Sequence, residues 1–191
     1  MQPSSGANIG ALPPDILRTR VINEIRNAMR NLRADHHLQH VDFEELRIPT
    51  TVIVTMKNTP GPVWLGERVG HAYEHKFLFE ITENYPFQKP IVRWMSPIFH
   101  PNIMPADEGG AVCTKLLDVW NIESNILRFI KGIETLLITP NPSNPFDTRT
   151  CTYAAEHFNK VGYTPPMIVS KNESKPSLKI ISNKPEEEAE D

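Results

Sequence analysis

The chain has 191 residues, 39% of them hydrophobic, and a net charge of −3. That length fits one domain with an extension and can bury a core without staples. Two cysteines make no disulfide framework, and no apolar run reaches the roughly 20 residues of a membrane-spanning helix.

The negative charge is unevenly placed. Glu186, Glu187, Glu188, Glu190 and Asp191 crowd the C-terminus, so the remainder is close to neutral. A near-neutral body excludes nucleic-acid binding as a main function. The N-terminus lacks the basic and apolar regions of a signal peptide. Cytoplasmic residence, away from membranes, is the expectation. Composition divides the chain into a loose polar leader (1–12), a domain (13–162) and a polar extension with an acidic tail (163–191).

Pro13-Pro14-Asp15 opens a helix, with proline in a tolerated early position. Leu17, Val21, Ile25, Ala28, Met29 and Leu32 recur at three- and four-residue steps and form its apolar stripe. Arg26, Arg30 and Arg33 share the opposite face; taken alone they read as a solvated helix surface. From Phe43 the pattern changes. Leu46–Pro49, Thr50–Met56, Tyr73–Thr82 and Ile91–Met95 read as strands, with Asn58 to Pro62 a turn and Val63–Gly70 a loop. Phe77, Phe79 and Ile81 alternate onto one face. Four closely spaced strands predict an antiparallel meander and an α+β fold.

After Met95 regular structure stops for almost thirty residues, interrupted by Pro97, Pro101 and Pro105. An ordered irregular stretch of this kind is usually functional. It contains His100-Pro101-Asn102-Ile103 and, beyond Gly109-Gly110, Cys113. Ser124 then caps a helix carrying Ile126, Leu127, Ile130, Ile133, Leu136 and Leu137. A last helix spans Thr148 to Lys160, and Leu178–Ile181 is an apolar island in the extension. There is no internal repeat.

A thiolate attacks acyl groups and leaves well, so a cysteine can carry an acyl group as a thioester. Transfer to an amine builds negative charge on oxygen, which a neutral donor such as the Asn102 carboxamide could stabilise. No base and orienting acid are evident beside Cys113. The bland reading of Cys113, a small buried hydrophobe, sits poorly with Gly110 and the irregular context. Cys151, in a helical pattern beside Tyr153 and Ala154, reads as core. The bland reading of Asn102 is an Asx-type turn after proline.

The order of these blocks resembles the ubiquitin-conjugating enzyme family. The matching residues are Pro60-Gly61, Tyr85-Pro86-Phe87 with Pro90, His100-Pro101-Asn102-Ile103, Cys113, Trp120, Leu136-Leu137, Pro140-Asn141-Pro142 and Asn144-Pro145. The resemblance spans roughly Pro14 to Asn159 and implies the family's fold: an N-terminal helix, a four-stranded antiparallel meander, a long active-site segment and C-terminal helices. It implies that Cys113 accepts ubiquitin or a ubiquitin-like modifier as a thioester from an activating enzyme and passes it to a lysine of a protein substrate. Asn102 is then the oxyanion donor, His100 braces the active-site loop, and Asn144 helps place the lysine. Arg26, Arg30 and Arg33 become candidates for activating-enzyme binding, and Phe87 and Ile122 for a RING-type ligase, with Phe87 as core the competing reading. Tyr85-Pro86 resembles a position where the family has a cis peptide bond. Lys115 is a candidate for self-modification.

The chain also departs from the family pattern. Asn102 to Cys113 is longer than usual, with Met104 to Glu108 resembling a short insertion. Cys113 to Trp120 is one residue shorter than usual. Asn144 stands where an acid is frequent. A catalytically inactive, modifier-binding variant of the same fold is therefore the alternative, and a Cys-His hydrolase using His100 as base is a third. The histidines at 36, 37, 40, 71 and 75 do not reach a metal site with known spacing, so no metal is expected. No glycine-rich phosphate loop is present; no cofactor is expected, ATP being used by the activating enzyme.

Overall fold

A computed structural model describes residues 10–32, 36–37, 42–113, 115–166 and 178–181. Helix α1 spans Pro14–Asn31. Pro14 occupies the first turn, where its missing N–H costs nothing, and Asp15 and Arg30 complement the helix dipole at the two ends. Its buried face is Leu17, Val21, Ile22, Ile25 and Ala28. The expected stripe holds, with Ile22 added and Met29 only half-buried at its edge.

The sheet contains β1 (His36–His37), β2 (Thr50–Trp64), β3 (Val69–Ile81), β4 (Ile91–Trp94) and β5 (Leu178–Ile181), all pairing antiparallel. Its body is the run β2, β3, β4; β1 and β5 both lie on the outer edge of β2, against residues 55–56 and 51–54. Three sequence expectations are corrected here. Leu46–Pro49 is not a strand. Its Leu46 carbonyl and that of the preceding Phe43 turn to α1 instead, where the Arg18 guanidinium donates to Leu46 O (3.0 Å) and Phe43 O (2.6 Å).

Asn58 to Pro62 is not a hairpin turn either. Pairing passes from Lys57↔Glu74 to Gly61↔Ala72, so three β2 residues bulge opposite Tyr73. Asn58 takes a left-handed conformation (φ 51°), which asparagine tolerates. Gly61 is required by space: a Cβ there would lie 2.6 Å from the His75 ring. The reversal comes later, within the expected Val63–Gly70 loop, at Leu65–Arg68; it is closed by Leu65 N–H to Arg68 O (2.9 Å).

Helix α2 is one turn, Lys115–Asp118; α3 spans Ile126–Ile138 and α4 spans Arg149–Val161. The third correction concerns the α3 cap, which is Asn125 rather than Ser124. Asn125 Oδ1 accepts from Arg128 N–H, while Ser124 Oγ accepts from Asn121 N–H. Val52, Val54, Met56, Phe77, Phe79 and Ile81 of the sheet are fully buried against α1 and α3, with Phe129, Ile130, Ile133 and Leu137 opposite. Each such side chain contributes about 1.5–3 kcal/mol of transfer free energy. A second cluster, Phe99 with Ala154 and Phe158, seats α4. This seating sets the frame for the cysteine-bearing segment between β4 and α2.

Candidate active site

Residues 100–113 form an irregular hairpin. Isolated bridges join His100 with Ile103 and Ile103 with Val112. Cys113 N–H donates to Asn102 O (2.9 Å) and Met104 N–H to Ala111 O (2.8 Å), so Cys113 stands beside Asn102 across the hairpin's open end. The residues read as an insertion sit at the far end. There Ala106–Glu108 makes a 3-10 turn and Gly110 N–H closes onto Pro105 O (2.9 Å). Residues 105–110 therefore make the hairpin tip, at the opposite end from the thiol.

Two contacts hold the tip. Gly110 O accepts from Trp94 N–H (2.7 Å), and Gly110 has φ 66° with Trp94 O where a Cβ would need to be. Glu108 Oε1 accepts from the Thr150 amide (3.2 Å) and hydroxyl (2.5 Å) at the start of α4. Burial pushes the Glu108 carboxyl up, but hydrogen bonds from Thr148 and Thr150 and the Arg149 charge outweigh it and leave it below its usual range.

Cys113 is half-buried. Burial and Asp118 push its thiol up, and Lys89 opposes them. Among the described residues the balance is upward, so these neighbours do not pre-ionise it. His100 is fully buried, and that burial lowers its pKa to about 3. Its Nδ1 accepts from Asn102 N–H (2.9 Å), so Nε2 carries the proton and donates to Leu136 O (3.0 Å). Both ring nitrogens are thus committed, tying the hairpin to α3. A neutral imidazole so engaged is no base for Cys113, which removes the hydrolase reading.

Asn102 is also buried, at 3% exposure. Its Nδ2 donates to Asn141 O (3.0 Å) and Asn144 O (2.9 Å), while its Oδ1 accepts from Asn141 N–H (2.8 Å). Both amide hydrogens are spent on the loop between α3 and α4. Asn141 belongs to the Pro140-Asn141-Pro142 match, but the sequence assigns it no role. Asn144 is exposed on this loop, and Phe146 N–H donates to Pro101 O (2.9 Å). The hairpin root and the loop bearing Asn144 are one hydrogen-bonded unit.

Cys151 is a core residue, as expected, with no exposure and Sγ directed at Ile103 O (3.6 Å). Phe87 and Ile122 are 45% and 49% exposed, which takes Phe87 out of the core. The Tyr85-Pro86 bond is cis. Arg26 and Arg30 are exposed on α1, the Arg26 guanidinium lying 4.6 Å over the Phe43 ring. Arg33 lies outside the described residues, and of Lys115 only the backbone is described. The sequence also gives no role to Glu108, which it places only in an apparent insertion, or to Arg20 and Glu24, whose i, i+4 spacing is the available signal.

A leading helix, an antiparallel meander, a cysteine on an irregular segment and trailing helices are together a ubiquitin-conjugating fold. The same fold occurs in S. cerevisiae Ubc12, with a TM-score of 0.58 and 22% identity over 75% of this chain and 70% of that one. The chain belongs to the ubiquitin-conjugating enzyme family, whose model matches residues 22–162. Among relatives, "Probable ubiquitin-conjugating enzyme E2 L460" of Acanthamoeba polyphaga mimivirus is 28% identical over 66% of this chain and 78% of its own length. "Ubiquitin conjugating enzyme E2 B" of Dictyostelium discoideum is 36% identical over 36% of this chain and 45% of its own. "Ubiquitin-conjugating enzyme E2 T" of Homo sapiens is 37% identical over 34% of each. The last two matches span less than half of those relatives' length.

Proposed function

We propose that this chain is a conjugating enzyme that takes ubiquitin or a ubiquitin-like modifier onto Cys113 from an activating enzyme and passes it to a lysine amine, with a RING-type ligase as partner. One observation carries the reading: the only part-exposed thiol among the described residues stands on the hairpin braced by His100 and Asn102, and His100 is spent on that bracing rather than serving the thiol as base. A carrier thioester must outlast its encounter with water, so a site without a hydrolytic base suits carriage better than hydrolysis.

In this mechanism the Cys113 sulfur attacks the modifier's activated carboxyl, held as a thioester on the activating enzyme. That enzyme's thiol leaves, and the acyl group moves to Cys113. A substrate lysine, in its neutral amine form, then attacks the Cys113 thioester; the C–S bond breaks as the amide forms, and the amine's surplus proton passes to solvent. Asn102 serves the second step by donating to the developing oxyanion, a contribution of about 2.7–4 kcal/mol for donors of this kind. Its amide must then exchange one loop carbonyl for the oxyanion; otherwise its role is to hold the loop. Asn144, exposed on that loop, helps place the lysine. Arg26, Arg30 and Arg33 bind the activating enzyme, and Phe87 and Ile122 bind the ligase. The chain itself needs no cofactor, since ATP is spent by the activating enzyme.

The test is incubation with activating enzyme, ATP and ubiquitin, and then with a panel of ubiquitin-like modifiers. A reductant-sensitive adduct is expected, converted to a reductant-resistant ester or lost in Cys113→Ser. Absence of any adduct, or loss of it in Cys151→Ser instead, would sink the proposal. Asn102→Ala should still charge but discharge to free lysine about a hundredfold more slowly if the oxyanion role holds. An unchanged discharge rate would leave Asn102 as loop scaffold only.

A further inference from the structure

The two loops that carry Phe87 and Ile122 are far apart in sequence, yet one ion pair on α1 holds both. Glu24 is only 13% exposed at its side chain and uses both carboxylate oxygens. Oε1 accepts from Arg20 Nε (2.8 Å), and Oε2 accepts from the Tyr85 hydroxyl (2.5 Å) and the Ile126 amide (3.1 Å). Arg20 turns the rest of its guanidinium outward, donating from Nη2 to Ile122 O (2.6 Å) and Ser124 O (3.2 Å). A cross-tie completes the arrangement: Trp120 Nε1–H donates to Pro86 O (3.0 Å). Burial and the Glu24 charge push the Tyr85 hydroxyl far up, so it remains a donor throughout the neutral range.

Packing alone does not hold the second loop. A cleft of about 190 Å³ lies against it, lined among others by Val119, Trp120, Asn121 and Phe129. The Ile122 and Phe87 side chains stay 49% and 45% exposed, and Ile16, one turn before Arg20, is 55% exposed. Polar ties to α1 therefore set where these apolar side chains stand. A binding surface whose parts are already in place loses less entropy on association.

We infer that Arg20 and Glu24 are positioning residues for ligase recognition: their ion pair locks the Phe87 and Ile122 loops to α1, so that Ile16, Phe87 and Ile122 meet a RING-type domain as one preformed surface. This rests on the ligase reading of Phe87 and Ile122 above. The Arg20 fork is essential to it, because it reaches Glu24 from Nε and the two carbonyls from Nη2, whereas a lysine offers its three donors from a single nitrogen.

Two measurements test the idea on the full chain. First, amide hydrogen exchange is compared in wild type, Arg20→Lys, Glu24→Gln and Tyr85→Phe, the last removing a single hydroxyl in case the charge variants fold poorly. Exchange at 122–126 should quicken about tenfold in the first two variants and less in Tyr85→Phe, with the sheet unchanged. Unchanged exchange at 122–126 overturns the clamp. Second, isolated RING domains are screened for one that stimulates discharge of the wild-type Cys113 thioester to free lysine. With that domain, the ratio of stimulated to unstimulated discharge should fall about five- to tenfold in Arg20→Lys and Glu24→Gln. A merely structural role would lower both rates together and leave the ratio intact, and that result overturns the inference. If Phe87→Ala and Ile122→Ala leave the ratio intact, the ligase reading itself fails and takes the clamp's purpose with it. Loss of the ratio in those two but not in Glu24→Gln rejects the clamp alone.

Discussion

Cys113 and Cys151 belong to two regions that touch, the 100–113 hairpin and helix α4, and burial pushes both thiols up. They differ in presentation. Cys151 is a helix residue with no exposure, its sulfur facing the hairpin's own Ile103 carbonyl. Cys113 is part-exposed at the hairpin's open end, where only its backbone is bonded to Asn102. The same functional group is thus sealed in the core in one region and open to reagents in the other, and the backbone rather than thiol acidity decides which. The fit with acyl carriage follows: a thiol that is accessible but not pre-ionised reacts when an activated partner is brought to it.

The sharpest way to break this comparison is alkylation with iodoacetamide at neutral pH. Cys113 should be modified in the folded chain, whereas Cys151 should wait for opening of α4, about a thousandfold or more slower. Mass spectrometry of the two cysteine peptides over time checks this. Comparable rates would mean that Cys151 is not shielded as its contacts require.

Both regions were readable in the sequence to different degrees, for physical reasons. Cys151 as core followed from helical spacing alone, because periodicity reports burial directly. The α1 stripe was found the same way. Cys113 as an accessible thiol needed Gly110 and the prolines around it, and its place in a family pattern. What escaped were contacts between side chains and distant backbone. Asn102 spends its amide on Asn141 and Asn144, some forty positions away, and no local pattern announces such a partner. The turn misplaced at Asn58 to Pro62 has a related cause. Its turn residues are real, but the ladder absorbs them as a bulge because Ala72, Glu74 and the neighbouring β3 residues continue to pair on either side.

A second test concerns the root of the hairpin. Folded His100 titrates near 3 against an ordinary 6.5 because burial disfavours its charged form. Between those values the unfolded chain binds a proton that the folded chain does not, so stability rises with pH there and is lost as pH falls below about 6.5. From pH 7.5 to 5 the loss attributable to His100 is about 2 kcal/mol. Buried His75, also lowered mainly by burial, acts in the same direction. Urea unfolding at several pH values should show this slope, and His100→Gln should flatten it. An equal slope in the variant would assign the acid sensitivity elsewhere. Loosening of the root at pH 5 should also speed alkylation of Cys151 relative to Cys113, once each rate is corrected for its thiolate fraction.

The smallest effect probes the far end of the hairpin, where the two regions are stapled. Glu108 accepts both the amide and hydroxyl of Thr150, so Glu108→Ala removes a charged acceptor from the start of α4. The loss should be about 1 kcal/mol of stability, with faster exchange of the Thr150 amide. The thiol at the other end should notice little, because the Ile103–Val112 bridge and the Cys113 to Asn102 bond lie between it and the tip. An alkylation rate for Cys113 within about twofold of wild type, beside a quickened Cys151, would show that the hairpin tip serves α4 rather than the exposed thiol. A matched rise at both cysteines would instead show that hairpin and helix open as one unit. The contrast between them would then be one of exposure alone, with no difference in local stability behind it.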